Sequence, residues 1–354
     1  MNDAAVADGE RGVRYGLIGC GDIGVVRAAA LERGPSSLAA VSDIDASKAG
    51  AIAQRAGVPA DSDWRRLLER ADVDAVIVAT PPSLHAEMCI AALEAGKHVL
   101  CEKPLARSAA ECREIVDAAQ TAGLVIATGF NYRFYPSFML ARQILDSGRI
   151  GRLSHIRAYA GYSAVGHNQP WVHDAAVVGG GALHDNGIHL IDLVRHFLGE
   201  VEEVKGWATD HVWGYGRAED NGYLLLRGPE DRVATVHASW SEWEKYQFRI
   251  ELVGTLGKIT STCFPMRTDV TWAESTGGRT RSRTDRFLST MVGEHVRSYR
   301  WVVARSFVHE LAAFDRKVAG LSSPVATGMD GLRAIEIACA ADHLGAADVV
   351  GTRA

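Results

Sequence analysis

One strand-turn-helix unit near the start of the chain constrains the fold more than any other feature of the sequence. An apolar run ends at Ile18, residues 19–24 fit the pattern G-x-G-x-x-G, and a helical stretch follows to about Leu31. In this setting the first glycine allows a tight turn, the second lets the backbone approach a pyrophosphate, and the third lets helix and strand pack closely. The unit therefore predicts a dinucleotide site, with the helix N-terminus facing the phosphates. The predicted contacts are Gly19, Gly21, Asp22, Ile23 and Gly24.

Strand and helix patterns keep alternating through the first third of the chain. Such alternation predicts parallel βαβ units and therefore a doubly wound sheet. We predict a Rossmann NAD-binding domain over residues 1–129. The further apolar strands of this region are predicted at residues 38–41, 75–79, 99–101 and 124–127.

The pattern changes after about Phe130 to strands that follow one another without helices between them. Such a succession indicates a mostly antiparallel sheet, so we predict a second α/β domain over residues 130–354. Its last helices are expected to be able to pack back on the first domain. Four arginines around residues 279–286 predict a solvated loop, with a phosphate-bearing substrate or a partner subunit as the alternative. The predicted strands are 153–160, 201–208, 223–227, 233–240 and 248–253, and the predicted helices are 138–146, 184–197, 302–318 and 331–344.

Composition and charge exclude several classes of protein. The chain has 354 residues and a net charge of -5, so it offers no basic field to a nucleic-acid backbone. No apolar stretch approaches the length of a membrane span, and the acidic N-terminus lacks the apolar core of a secretory signal. The six cysteines contain no close C-x-x-C pair, which predicts free thiols and a cytoplasmic, reducing location.

A carboxylate after the second strand indicates which dinucleotide binds. Asp43 lies where an acidic side chain hydrogen-bonds the adenosine ribose, and its charge repels a 2′-phosphate, so NAD is favoured over NADP. Helix capping is the alternative role for Asp43, although Asp45 is better placed for that role. Thr80 and Pro81 follow the strand at 75–79, and their backbone is expected to border the nicotinamide ribose unless they form a plain loop.

The short strand at 99–101 ends in three residues that suggest chemistry beside the nucleotide. These are Glu102, Lys103 and Pro104. A lysine at the carboxyl end of a strand in an open α/β sheet points into the crevice where such sheets bind ligands. A surface lysine is the alternative reading of Lys103 considered alone.

Several segments together resemble the Gfo/Idh/MocA oxidoreductase family, which includes glucose-fructose oxidoreductase and the inositol dehydrogenases. The resemblance implies a C-terminal substrate-binding domain whose large open sheet often forms a homodimer or homotetramer interface. It implies reversible, NAD-dependent oxidation of a secondary alcohol on a sugar or cyclitol. The segments that fall in the family's order are residues 19–24, 79–85, 96–105, 129–133, 179–192 and 330–338.

The resemblance also assigns roles to individual residues. Lys103, Asp185 and His189 match the family's catalytic positions, and the Lys103–Pro104 bond is often cis in relatives. His184 stands where relatives often carry an aliphatic residue, so it is a candidate for tuning substrate choice. His85 is grouped with the cofactor site, with a purely structural use on its helix as the stronger alternative. The positions that match cofactor contacts are the glycine turn, Asp43, Thr80, Pro81, Glu102 and Lys103.

The chemistry of these residue types leaves two proton acceptors open. His189 is a natural base because imidazole titrates near neutral pH. Asp185 lies four residues earlier, so on a helix it would share a face with His189 and orient its ring. Lys103 would donate to the substrate oxygen, or would itself be the base if burial lowers its pKa.

A metal site is not expected from the histidines of this segment. His184, Asp185 and His189 would point in different directions on a helix, and no fourth ligand is evident. Possible substrate contacts lie in stretches expected to line the cleft, where Tyr162 and His167 also occur. The two candidates beyond His184 are Arg133 and Trp171.

Two other functions remain open at this stage. A redox-neutral, NAD-dependent glycosidase of the same fold would oxidise its sugar only transiently and cleave glycosides without added NAD. A non-catalytic nucleotide sensor is less favoured because the three catalytic positions are all kept. No nucleic acid or membrane partner is expected, and the substrate class is a small carbohydrate or cyclitol.

Overall fold

A computed structural model describes residues 12–164, 170–216, 218–243, 245–287, 290 and 299–344. Its first sheet has six parallel strands in the spatial order β3-β2-β1-β4-β5-β6. The order reverses between β1 and β4, which is the point where open α/β sheets bind ligands. The predicted doubly wound sheet is thus confirmed, with the two-residue β3 as the strand that the pattern did not indicate. The strands are β1 (Arg14–Ile18), β2 (Ser37–Ser42), β3 (Ala60–Asp61), β4 (Ala75–Val78), β5 (His98–Glu102) and β6 (Ile126–Gly129).

Helices cover both faces of this sheet. Neighbouring residues along β1 and β4 point to opposite sides, and the residues on both sides are apolar, so each side needs a covering layer. Tyr15, Leu17 and Ile77 belong to one apolar core, and Ile18 and Val76 belong to the other. Every strand between β1 and β6 is therefore enclosed, as expected for a parallel sheet. The helices of this half are α1 (Asp22–Leu31), α2 (Ala46–Ala56), α3 (Trp64–Leu68), α4 (His85–Glu94) and α5 (Ala109–Ala122).

The second sheet has nine strands among the described residues, and most neighbours are antiparallel. Only two neighbouring pairs, β7 with β10 and β8 with β15, run parallel. This confirms the predicted large, mostly antiparallel sheet. The strands are β7 (Leu153–Gly161), β8 (Glu203–Thr209), β9 (Asn221–Arg227), β10 (Val233–Ser239), β11 (Gln247–Gly254), β12 (Gly257–Thr262), β13 (Arg267–Trp272), β14 (Arg281–Arg286) and β15 (Asp342–Leu344), in the order β14-β13-β12-β11-β7-β10-β9-β8-β15.

The remaining helices join the two sheets. The helices are α6 (Pro136–Asp146), α7 (Ala175–Val178), α8 (Gly187–Leu198), α9 (Tyr299–Val318) and α10 (Gly328–Ala338). Helix α8 lies on β7 and β10, α9 packs on α1, and α10 packs on both α5 and α8. Because α10 contacts both α5 and α8, a domain boundary near residue 130 stays a prediction. Among the described helices, none has the length and apolar character needed to cross a bilayer.

Two sequence predictions of secondary structure are wrong. The final helix, predicted to reach residue 344, ends at Ala338, and Asp342–Leu344 pairs with β8 instead. The arginine-rich segment, predicted as a loop, forms β14 through pairing with β13. Both errors have one cause, since long-range pairing makes an edge strand out of a segment whose own pattern is polar or helical.

One row of paired residues determines where the loops of the second sheet lie. Gly161 pairs with Ser239, Ser239 with Asn221, and Asn221 with Thr209. Gln247 pairs with Gly161 from the other side. The segments after β7, after β8 and between β10 and β11 therefore leave the sheet at the same end, which we call the loop end.

Candidate active site

The glycine turn between β1 and α1 has the shape of a phosphate cradle. Gly19 has φ +96°, and a Cβ there would lie 2.5 Å from the Ala79 carbonyl oxygen. A Cβ on Gly24 would lie 2.0 Å from the Gly19 carbonyl oxygen, so helix and turn touch through backbone. A Cβ at Gly21, in contrast, would meet no described atom within 4 Å. This open approach to the start of α1 fits a dinucleotide pyrophosphate.

The start of α1 also leaves hydrogen-bond donors available for such a ligand. Gly21 is the N-cap of the helix, and no described side chain caps it. Asp22 and Ile23 are exposed in the first turn, beside the predicted phosphate position. The first amides of a helix need acceptors from outside the helix, and a phosphate supplies them.

Asp43 joins the end of β2 to the glycine turn. Its carboxylate accepts hydrogen bonds from the backbone N–H groups of Cys20, at 2.7 Å, and Asp45, at 2.8 Å. Asp45 caps α2 by accepting from the amides of Ser47 and Lys48, as the sequence indicated. The capping alternative for Asp43 is therefore wrong, and its carboxylate lies beside the turn that would hold the dinucleotide.

His85 lies behind the cofactor loops. It is fully buried, with Nδ1 2.9 Å from the Pro104 carbonyl oxygen and Nε2 2.8 Å from the Thr80 carbonyl oxygen. Burial lowers the pKa of His85. This residue ties the segment of Thr80 and Pro81 to the segment after β5, which favours the structural alternative for His85. The Lys103–Pro104 peptide is cis, as the resemblance implied.

Glu102 belongs to a buried ion network that the sequence did not reveal. The Arg27 guanidinium in α1 lies 2.6 Å from Glu102 Oε1 and 2.5 Å from Glu310 Oε2 in α9. Arg27 is fully buried and stacks 3.7 Å above the Phe307 ring centroid. Burial raises the pKa of Glu310 to about 7, in spite of Arg27. The network fixes Glu102, the residue before Lys103, and it links α1, the helix after the glycine turn, to α9.

Lys103 and Asp185 form the central pair of the site. Lys103 Nζ lies 3.0 Å from Asp185 Oδ1 and 3.1 Å from the backbone oxygen of Asp185. The Tyr162 hydroxyl donates to Asp185 Oδ2 at 2.7 Å, and the Trp240 indole donates to the same oxygen at 3.2 Å. Burial alone would raise the pKa of Asp185, but the Lys103 ammonium and these donors lower it to about 2. The carboxylate is therefore ionised and keeps the ammonium in place.

His189 is a neutral imidazole next to this pair. Its ring stacks on Tyr132, with centroids 4.1 Å apart and planes 12° apart. Burial and the Lys103 ammonium lower the pKa of His189 well below its usual value. Asp185 does not accept a hydrogen bond from His189, as orienting the ring would require, and the buried Nδ1 of His189 has no hydrogen-bond partner among the described residues. Helix α8 begins at Gly187, so Asp185 precedes the helix and the shared-face argument does not apply.

One buried carboxylate holds the glycine-rich turn that carries Asp185. The Glu219 side chain accepts from the backbone N–H groups of Gly181, at 2.7 Å, and Leu183, at 2.9 Å. The Glu219 carbonyl oxygen accepts from Ala182 N–H at 2.8 Å. Burial raises the pKa of Glu219 to about 7. The sequence contained no local signal for this residue, which lies outside the glycine run.

The three candidate substrate contacts, Arg133, His184 and Trp171, differ in their partners and in their exposure. The Arg133 guanidinium lies 2.8 Å and 2.6 Å from the two oxygens of Asp192, which favours a structural role for both residues. His184 is buried, with Nε2 3.6 Å from Cys339 Sγ, so it faces the end of α10. Trp171 is 36% exposed on the 3-10 segment Pro170–His173. His167 lies outside the described residues.

No group of three or more histidine, cysteine, aspartate or glutamate side chains among the described residues is arranged to hold a metal ion. The glycine turn, the switch point between β1 and β4, and the Lys103–Asp185 pair together define an oxidoreductase of the dinucleotide-binding α/β class.

Comparison with known proteins agrees with this class. Residues 13–130 match the oxidoreductase family with an NAD-binding Rossmann fold, and residues 138–260 match the Gfo/Idh/MocA C-terminal domain. The chain belongs to the Gfo/Idh/MocA oxidoreductase family.

Three similar proteins show what this family membership covers. Inositol 2-dehydrogenase 2 of Saccharopolyspora erythraea is 35% identical over 77% of this chain and 79% of its own length. Myo-inositol 2-dehydrogenase of Thermotoga maritima is 30% identical over 93% of this chain and 95% of its own length. The solved structure of levoglucosan dehydrogenase in complex with NADH and levoglucosan has a TM-score of 0.80 and 26% identity, covering 93% of this chain and 96% of that chain.

Proposed function

We propose that this chain is an NAD-dependent dehydrogenase that transfers a hydride between nicotinamide and a secondary alcohol or ketone of a sugar, glycoside or cyclitol. The observation that carries this proposal is the Lys103 ammonium at the end of β5, held 3.0 Å from Asp185 and next to the neutral His189. Alcohol oxidation needs a proton acceptor and is helped by a donor to the substrate oxygen, and a neutral imidazole and an ammonium can supply these two functions. The relatives named as inositol and levoglucosan dehydrogenases support the substrate class.

Each residue of the site has a defined role in this proposal. Lys103 donates to the substrate oxygen and stabilises its developing negative charge. His189, which its lowered pKa keeps as a neutral imidazole, is one candidate to accept the hydroxyl proton, and Lys103 is the other. Asp185 fixes the position of the Lys103 ammonium. The nicotinamide, when bound, supplies the hydride acceptor.

The proposed cofactor is NAD, with NADP disfavoured. Asp43 holds its carboxylate against the glycine turn through the amides of Cys20 and Asp45. These two bonds leave lone pairs on the carboxylate oxygens for the ribose hydroxyls, since each oxygen can accept more than one hydrogen bond. A 2′-phosphate at the same place would meet a like charge.

Nicotinamide reduction on a panel of cyclitols, free sugars and glycosides tests the function. NAD and NADP are offered separately to the unaltered protein and to Lys103→Ala, His189→Ala and Leu321→Ala, the last being an exposed control on the turn after α9. We expect turnover with NAD that is largely lost in the first two variants and kept in the third. Glycoside cleavage without added NAD, by protein that carries bound cofactor, would instead establish the redox-neutral glycosidase.

We propose further that the outer face of the second sheet forms a homo-oligomer interface. A cross-strand row of Trp207, Tyr223, His237 and Tyr159 lies there, and Trp207 is 54% exposed. Contiguous exposed apolar surface of this kind is typical of protein interfaces. Leu225 is 51% exposed and lies two residues along β9 from Tyr223, on the same face, and Leu225→Glu is expected to convert a dimer or tetramer to monomer in sedimentation. An unchanged mass contradicts this interface.

The proposed location is the cytoplasm. Five of the six cysteines are buried and all six are free thiols, which suits a reducing compartment. A thiol titration of freshly purified, unfolded protein tests this, with six reactive thiols expected. Fewer thiols, recovered after reduction, would contradict it.

A further inference from the structure

The loop end of the second sheet carries a row of three tryptophans that leads away from Asp185. Trp240 donates its indole N–H to Asp185 Oδ2 at 3.2 Å. Trp213 donates its indole N–H to the Trp240 carbonyl oxygen at 3.0 Å. The Trp213 and Trp243 rings are 6.0 Å apart at an angle of 49°. The three residues therefore form a continuous path that starts at the catalytic carboxylate.

Solvent exposure rises along this path. Trp240 is fully buried, Trp213 is partly buried, and Trp243 is 82% exposed. Trp240 and Trp243 follow β10, and Trp213 follows β8, so all three belong to loops at the end of the sheet where Asp185 lies. The neighbouring rings of Trp213 and Trp243 together offer an exposed aromatic face of the kind that a ligand ring or another chain can cover.

The loop that carries Trp213 is anchored rather than loosely placed. Its backbone N–H and that of Val212 both donate to Asp220 Oδ2, and the Asp220 side chain is fully buried. Asp210 accepts from the backbone N–H groups of Tyr215 and Gly216 in the same loop. With its indole N–H also engaged, Trp213 presents a ring of fixed orientation to Trp243. A preorganised aromatic surface loses little entropy when it binds a ring.

We propose that Trp213 and Trp243 form a subsite for a second ring, so that the substrate is a glycoside or disaccharide rather than a free cyclitol or monosaccharide. This inference rests on the proposed function and specifies its substrate class. The reacting ring occupies the space beside Lys103, and the next ring stacks on the exposed tryptophan pair. A pyranose and an aromatic aglycone both present the flat apolar face that an indole accepts.

Kinetics on matched substrates test the subsite. Methyl glycosides of glucose, galactose and mannose supply one ring, and the corresponding phenyl glycosides and disaccharides supply two. Trp243→Ala is expected to lower kcat/KM about tenfold for two-ring substrates and to leave it unchanged for one-ring substrates. Trp243→Phe should restore most of the loss, and Leu321→Ala should change neither class. Phenyl glycosides and disaccharides then distinguish an aromatic from a sugar second ring.

Three results would overturn the subsite. One is an equal loss for one-ring and two-ring substrates in Trp243→Ala. The second is a fall in the oligomeric mass of Trp243→Ala in sedimentation, which would assign the exposed tryptophan to contact with a second copy of this chain. The third result concerns binding, and it applies if no sugar is turned over and the proposed function therefore fails. Quenching of intrinsic fluorescence by phenyl glycosides then tests the subsite without turnover. Equal quenching by methyl and phenyl glycosides, or equal quenching in Trp243→Ala, contradicts it.

Discussion

Asp185 and Asp192 lie seven residues apart, and each pairs with a cation, Lys103 and Arg133 respectively. The solvent exposure of the two pairs distinguishes a reactive pair from a structural one. In the Lys103–Asp185 pair the side chains are 23% and 19% exposed, whereas in the Arg133–Asp192 pair they are 8% and 1% exposed. The pKa of Asp185 is lowered to about 2, while burial raises the pKa of Asp192 in spite of Arg133. An ion pair that keeps one side open can act on a ligand, and a sealed pair can only hold the fold together.

The position relative to α8 explains this difference. Asp185 lies in the turn before the helix, where Tyr162 and Trp240 reach it from the loop end of the second sheet. Asp192 lies within α8, and its partner Arg133 lies on the 3-10 segment Asn131–Phe134. The Arg133–Asp192 pair is therefore enclosed between two elements, whereas the Lys103–Asp185 pair keeps part of its surface exposed.

The largest expected effect comes from breaking the sealed pair. Arg133→Met leaves Asp192 buried without its hydrogen-bonded cation, and breaking a buried pair in this way costs about 3 to 5 kcal/mol. Chemical denaturation at neutral pH measures the loss in the free energy of unfolding. A loss below about 1 kcal/mol, the scale of an exposed ion pair, would show that Arg133 is not a structural residue and would restore it as a substrate contact. The folded fraction should keep its kcat/KM.

Breaking the open pair is expected to have the opposite signature. Lys103→Met removes the donor to the substrate oxygen, and loss of one such donor lowers kcat about 100- to 1000-fold. Because the pair is partly open and Asp185 keeps its hydrogen bonds from Tyr162 and Trp240, the free energy of unfolding should fall by less than in Arg133→Met. Stopped-flow turnover, NAD binding by fluorescence and denaturation are measured together. A stability loss equal to that of Arg133→Met, or unchanged turnover, contradicts the distinction between the two pairs.

A third carboxylate, Glu219, is buried without a paired cation among the described residues, and it sharpens the comparison. Its pKa rises from 4.5 to about 7 through burial, so the protonated form stabilises the fold below about pH 4.5 and this stability is lost as the pH rises to about 7. The shift corresponds to about 3 kcal/mol. Between pH 4.5 and pH 8, the unaltered protein should therefore lose about 3 kcal/mol more than Glu219→Gln.

Denaturation across this pH range measures that difference. Glu310, whose pKa is also raised to about 7, titrates in both proteins, so the comparison isolates Glu219. Parallel curves for the two proteins would show that Glu219 is ionised throughout and that its backbone hydrogen bonds outweigh its burial. The neighbouring charged and thiol groups, Asp210 and Cys339, are unchanged in the variant.

The parts of the molecule that the sequence predicts are those whose signal is local. The glycine turn, the strand before Lys103 and the succession of strands from β7 to β11 all follow from spacing and periodicity. What it missed depends on pairing between distant segments. Arg27 meets Glu310 across 283 residues, Trp240 reaches Asp185 across 55, and Glu219 holds Gly181 across 38. Arg133 was assigned to the substrate because no local pattern distinguishes an arginine in a cleft from one in a sealed pair.

The smallest expected effect concerns Asp43, a carboxylate that accepts from two backbone amides and pairs with no cation in the described part of the chain. Asp43→Asn keeps an acceptor for Cys20 N–H but removes the charge that would repel a 2′-phosphate. Since two like charges at about 4 Å in water repel by about 1 kcal/mol, the ratio of kcat/KM for NAD to that for NADP should fall about five- to tenfold. Asp45→Asn is the matched control. Position 45 lies outside the glycine turn, and an asparagine there can still cap α2. An identical ratio in both variants would place the cofactor preference elsewhere. A drop in the ratio for Asp43→Asn alone, with unchanged stability, would show that a carboxylate can select between NAD and NADP without being buried or paired with a cation. Its position beside the glycine turn would then be sufficient.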